Sequence, residues 1–389
     1  NSTQGGTLWV ISDKTGQPSE LHRLANHVVS AQFSPDGKWL SVVTANSTGM
    51  ASQITTTFSL WIISADGTQR QQIGVDPFAD GNWLPHKDIY VYGDNPIYQV
   101  DPNGRVQVLP LQLPESVRVT DIQPNPRHSW VAIDAVYPAA DGNVVDRRDA
   151  IVWWSPSSGQ VQKVQVTSHS GDGYVLGPWT DNGKTLFFWS DPLHSASLLA
   201  GGSTLNSINL SGKMTQIGRT QLGPGAVRPF NGNHALIQTA HGRYLYHQFG
   251  TAIWNTKQLD PIRPPSGHVL LWPNTDARGS LVTFVEAPDL TGSPSEHATQ
   301  SWWHQLQLAT YNPVSHVYQV LKNAGADVHD PRINDANHAI LFIAGNQLEW
   351  TNTRLRGPVH VVLSIGGAPW YAYPQWPGTT SLQIMDYLP

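Results

Sequence analysis

The sequence contains no cysteine, which excludes a disulfide framework, a thiolate nucleophile and every thiolate-held zinc or iron–sulfur site. Charge is scarce as well: Asp, Glu, Lys and Arg make up 13% of the 389 residues, about half of the roughly 25% usual in soluble domains. The net charge is −5, with no run of Lys or Arg and no acidic tail, so nucleic acid is not an expected partner. No apolar stretch approaches the ~18 residues that a membrane-spanning helix needs. The opening NSTQGGTLWV has neither the basic nor the apolar segment of an export signal. Because the chain starts without Met, in small polar residues, we expect a mature form whose export signal or membrane anchor lies outside the given chain.

Local catalytic signatures are missing too. The 16 His residues are scattered, with no H-E-x-x-H, no H-x-H pair and no EF-hand-like Asp spacing. There is no G-x-S-x-G elbow and no α/β segment that could form a hydrolase domain.

What the chain does have is turns and aromatics: 34 Gly, 29 Pro and 16 Trp. Frequent reversals and half-buried pleated faces call for these residues, so many short strands are expected. The strands repeat. One unit, an apolar-aromatic strand, an Asx- or Gly-rich turn and a second alternating strand, starts at Leu8, Leu60, Ile97, Val152, Leu205, Ala252, Leu308 and Leu348. Each copy reads as a β-hairpin, taken as the outer two strands of a blade. Between them a second hairpin recurs, clearest in AQFSPDGKWLSVV from Ala31. Looser copies start at Asn82, Ile122, Pro178, Pro229, Leu271 and Pro331. The chain opens on an outer hairpin and ends, from Trp370, on what reads as an inner one. The last blade is therefore expected to join about 366–389 to 6–26, which pairs two otherwise exposed edges. This predicts one all-β domain over 1–389, an eight-bladed β-propeller closed by shared N- and C-terminal strands. Seven blades is the alternative if the weak copies near Trp254 or Trp350 form one irregular blade. Trp9, Trp61, Trp153 and Trp254, and Trp39 and Trp130, fall at matching repeat positions and are expected to fill the space between blades.

The F-S-P-D-G-K motif at Phe33 to Lys38 resembles the TolB-like, WD-like propeller repeats, which also occur in the propeller domains of prolyl-oligopeptidase-type proteins. One copy is near-ideal and the others degenerate, while the resemblance in spacing covers essentially the whole chain. The family includes non-catalytic exported propellers and an oligogalacturonate lyase whose metal is held by His residues. The resemblance therefore implies an extracellular, periplasmic or cell-surface protein.

Propellers bind at one mouth of the central channel, where inner strands begin and the loops joining strands two and three converge. Four of those loops read as long: Ala45 to Gln53, Pro138 to Arg148, Asp191 to Gly202 and Ala287 to Ser301. Polar residues leading into the inner strands form the candidate ligand-binding set: Asp80, Asp121, Asp172, Arg228, His268, His329 and Asp330. No cofactor is expected, although carboxylates and imidazoles are ordinary ligands and leave room for a divalent cation. His304, beside Trp302 and Trp303, reads as a strand-face residue. With no catalytic motif, the expected function is a non-catalytic binding or protein-interaction propeller taking a protein or a polar polymer. The alternatives are a metal-assisted polysaccharide lyase or hydrolase with its site at the channel mouth, and a structural surface-assembly subunit.

Overall fold

The computed structural model describes residues 7–11, 18–23, 27–48, 55–74, 81–85, 87–139, 147–191, 202–222, 225–240, 249–289, 301–321, 324, 327–335 and 338–365. Among them, one helical turn at 301–303 interrupts an otherwise all-β chain. Two compact units divide at Leu176 and Gly177.

The first unit opens with a hairpin of β1 (Thr7–Ile11) and β2 (Pro18–Arg23). Three four-stranded sheets follow. They are β3 (His27–Phe33), β4 (Trp39–Thr48), β5 (Thr55–Ser64) and β6 (Arg70–Gly74); β7 (Gly81–Trp83), β8 (Tyr90–Gly93), β9 (Ile97–Val100) and β10 (Val106–Val108); and β11 (Arg118–Pro124), β12 (Val131–Tyr137), β13 (Arg148–Trp154) and β14 (Val161–Val166). The unit boundary falls inside β15 (Gly173–Trp179).

In the second unit β15 continues into β16 (Thr185–Asp191), β17 (Ser203–Asn209) and β18 (Met214–Thr220). Then come β19 (Val227–Phe230), β20 (His234–Thr239), β21 (Gly250–Trp254) and β22 (Leu259–Ile262); β23 (His268–Thr275), β24 (Val282–Pro288), β25 (Gln307–Asn312) and β26 (Val317–Val320); and β27 (Val328–Asn334), β28 (Ala339–Ala344), β29 (Gln347–Asn352) and β30 (His360–Ser364). Each quartet is an antiparallel meander in sequence order. One ladder pair, Thr220 with Thr239, joins β18 to β20. All eight outer-hairpin copies and seven inner-hairpin copies fall on these strand pairs, and the fold is that of a β-propeller. The inner hairpin expected from Trp370, and with it the closing blade, lies outside the described residues.

One turn chemistry serves both hairpin types. In the S-P-D-G turn the Ser34 hydroxyl donates to Asp36 Oδ1 at 2.7 Å, the Lys38 amide donates to the same oxygen, and the Trp39 amide donates back to Ser34 Oγ. Ser64 with Asp66 and Thr180 with Asn182 repeat the arrangement. Gly37 follows at φ 72°, a left-handed conformation that costs glycine nothing.

The core lies between consecutive sheets. Leu60, Ile62 and Ile73 of the first quartet pack on Trp83, Tyr90 and Tyr92 of the second. In the second unit Phe230 and Leu236 pack on Leu270 and Phe284, and a larger cluster runs from Phe249 through Val285 to Phe342. Trp153 and Trp254 are buried, and Trp39 and Trp61 pack partly buried on these clusters, as repeat-filling residues should. Trp9 departs from that expectation, being 38% exposed. The loop expected from Ala45 also starts later than expected: β4 runs on to Thr48 and pairs with β5 from Thr55, a stretch rich in β-branched Thr that suits a strand.

Candidate functional site

The first strand of each sheet is an edge, where a residue without an N–H costs no ladder bond. Accordingly β19, β23 and β27 carry Pro229, Pro273 and Pro331. The preceding residues are Arg228, Trp272 and Asp330. Proline keeps its predecessor out of the helical region. In β23 and β27 it coincides with a register shift, between Leu271 and Asn274 and between His329 and Arg332. There Trp272 and Asp330 take φ of 48° and 52°. A left-handed non-glycine residue costs ~1–2 kcal/mol, and such strain gathers at functional sites.

Asp330 is the centre of a cationic group. Arg332 Nη2 donates to its Oδ1 at 3.2 Å, and His329 Nδ1 stands 3.9 Å from its Oδ2. Burial alone would raise its pKa. The Arg332 guanidinium, followed by His329 and Arg228, outweighs burial and holds the carboxyl down at about 2. Arg228 itself is braced from β19, its Nε donating to the Pro273 carbonyl at 3.0 Å. The buried His329 ring packs edge-on against Trp303 and Trp272, at 5.9 and 6.1 Å, and these two indoles stack on each other.

A His–Asp dyad lies beside this group. The helical turn at 301–303 seats Trp302 and Trp303 in the core, with Trp302 Nε1 donating to the Pro288 carbonyl. That leaves the next residue, His304, facing outward, with Nδ1 2.8 Å from Asp327 Oδ1. The Asp327 side chain is 9% exposed and His304 is 53% exposed. The two groups approach as an ion pair while the imidazole stays half-exposed, so it is within reach of solvent to take or give a proton.

The sequence candidates distribute as follows. Arg228, His329 and Asp330 come together in the second unit. His268, at the head of β23, binds the Ser266 carbonyl through Nδ1, and its Nε2 is 3.6 Å from Glu286, whose other oxygen accepts the Tyr318 hydroxyl. Asp172, in the first unit, pairs with His169 at 3.4 Å. Asp80 lies outside the described residues. Asp121 accepts from Gln123 Nε2 and from the Leu176 amide. Its β12 partner is Asp134, which was not singled out from the sequence. Asp134 is 2% exposed and accepts from Thr120 Oγ1, while burial and then the nearby Asp149 push its pKa well above the carboxylate range.

His304 and Asp327 were also missed, and the expectation of a strand-face His304 is corrected: it lies in the turn after the helical residues. The available signals were the density of W-W-H at 302–304 and D-V-H-D at 327–330, and, for Asp134, a carboxylate in the otherwise apolar strand VAIDAVY. Among the described residues no three His, Asp or Glu side chains gather as a metal-holding group.

The described residues thus form an all-β propeller whose second unit holds a close His–Asp pair beside an arginine-held carboxylate. No protein-family profile matches the chain, and no curated protein matches it in sequence. Solved structures do. A puromycin-hydrolyzing peptidase of Mycobacterium tuberculosis matches 90% of this chain and 55% of its own, with TM-score 0.53 and 11% identity. The acylaminoacyl peptidase of Pyrococcus horikoshii matches 87% of this chain and 52% of its own, with TM-score 0.51 and 8% identity. TolB from Acinetobacter baumannii matches 82% and 79%, at TM-score 0.35 and 13% identity. The chain thus spans about half the length of the two peptidases. These likenesses correct the expectation of a non-catalytic binding propeller: both peptidases, which share the fold at TM-scores above 0.5, are enzymes.

Proposed function

We propose that the chain is the propeller of a hydrolase or lyase acting on a polysaccharide, with its reacting groups at the heads of β25 and β27. The His304–Asp327 dyad carries this reading. A buried carboxylate spaced 2.8 Å from a half-exposed imidazole is the arrangement that lets His abstract a proton from a sugar carbon or from water. Arg228 and Arg332 supply fixed positive charge where negative charge develops in either reaction. Trp272, partly exposed beside His329, offers an indole face to a sugar ring. The sequence spacing supports placing the chain among TolB-like repeats, as one domain over 1–389 acting outside the cytoplasm.

The test is a panel of neutral and acidic polysaccharides, scored for new reducing ends and for the ultraviolet absorbance of an unsaturated product. Cleavage should fall about 100-fold or more in His304→Ala, the scale of a lost general base. Asp327→Asn should lose comparable activity while binding substrate normally. A wild-type protein that cleaves none of the panel, or an H304A variant as active as wild type, would overturn the reading. Cleavage of peptide substrates alone would overturn the substrate class.

A further inference from the structure

At the opposite end of the same strands lies a second, chemically different feature. The register pairs Val282 with Tyr311 and Ala339 with Asn352, which sets Leu281, Asn312 and the turn at 353–356 at the ends of β24, β25 and β29 away from His304. Between them is a cleft of about 470 Å³, within the ~300–1,000 Å³ range of small-ligand sites. Its walls carry Arg354 and Arg356 with the side chains of Thr310, Asn312, Ser315 and Thr353, and among the described residues no acidic one lines it.

The two arginines are held in place by their turn. Asn352 Oδ1 accepts from the amides of both Arg354 and Arg356, and its Nδ2 donates to the Arg356 carbonyl. Leu355 takes φ 52° and packs against the core cluster, so the residues on either side are turned outward as a pair. Neither guanidinium has an acidic partner among the described residues. Opposite them, Asn312 Oδ1 is occupied by the amides of Val314 and Ser315, which leaves its NH2 as a donor. Guanidinium forks, an amide and hydroxyls together offer donors and fixed charge with no competing carboxylate.

We infer that this cleft binds an oxyanion, a phosphate or sulfate group, clasped by Arg354 and Arg356. The group is either free or borne on a sugar. Forked guanidinium donors match such tetrahedral anions, and the volume exceeds that of the bare ion, leaving room for a ring beside it.

The experiment titrates the full chain with inorganic phosphate, sulfate, glucose 6-phosphate and a sulfated oligosaccharide by calorimetry, at ionic strength matched with chloride. Wild type should bind at least one, and R354A/R356A should bind it about tenfold or more weakly, as expected for losing a charged hydrogen bond. R354K/R356K, which keeps the charge but loses the fork, should fall between them. Tighter binding of the sugar-borne group assigns the site to a saccharide, and equal binding assigns it to the free anion. No binding of any of the four, or equal binding by R354A/R356A, overturns the inference. Both arginines are exposed, so an unchanged unfolding midpoint without anion confirms the variant is folded. His304 takes no part in this readout, so this inference and the catalytic reading fail separately.

Discussion

Replacing Asp330 with Asn should make the stability of this protein respond differently to acid, by an amount the structure sets. The carboxyl, 14% exposed and bonded to Arg332, falls from its ordinary 3.8 to about 2. At about 1.4 kcal/mol for each tenfold change in acidity, ionised Asp330 contributes about 2 kcal/mol of stability. Because the folded value is depressed, that contribution is complete above the unfolded pKa of about 4 and fades as pH falls toward 2. D330N lacks it at every pH. Urea unfolding of both proteins between pH 2 and 7 should therefore show a gap that is about 2 kcal/mol wider at pH 6 than at pH 2. A gap that does not change with pH would refute the assignment of Asp330 as an ionised partner of Arg332, His329 and Arg228.

Asp134 should behave in the opposite sense. Its folded pKa is raised, so wild-type stability drains away as pH climbs from about 4 through the raised value, and Asp134→Asn should remove that slope; identical slopes in urea titrations from pH 4 to 8 would contradict burial as the cause. Gly279 sits at φ 70° with the Phe230 ring where a Cβ would go, whereas Gly232 at φ 79° faces open space. Gly232→Ala should cost only the backbone term, ~1–2 kcal/mol, and Gly279→Ala clearly more, read as the difference in denaturation midpoints. Removing the Asp36 carboxylate by Asp36→Ala takes away the acceptor for Ser34, Lys38 and the Lys38 amide, and should lower stability by about 1 kcal/mol; no loss would argue that the turn is held by Gly37 alone.

The hairpins were legible because their signals are local: a glycine after an Asx residue and a period of two on either side appear within a dozen residues. Degenerate copies such as the one from Ala252 could be recognised from that pattern despite losing the motif. The site was legible only in part, and for the same reason. Arg228, His329 and Asp330 stand out as charged residues where edge strands begin. The His304–Asp327 contact joins the turn after the helical residues to the bend just before β27, 23 positions on, and no short-range pattern encodes that pairing. Likewise, Asp134 and Asp149 meet only because β12 and β13 are adjacent in the sheet, and one strand read alone shows a single buried carboxylate.

The meander order of the sheets also bears on how the chain reaches its structure. Every described sheet pairs strands that follow one another in sequence, and the apolar clusters draw on neighbouring sheets, so the contacts that order any one sheet are local in the chain. Assembly can start at whichever sheet forms first and spread to its neighbours, as in a one-dimensional array. A lesion at Phe230 should then loosen the contact of β19 and β20 with β23 and β24, while Leu60 and Tyr92 keep their amide protection.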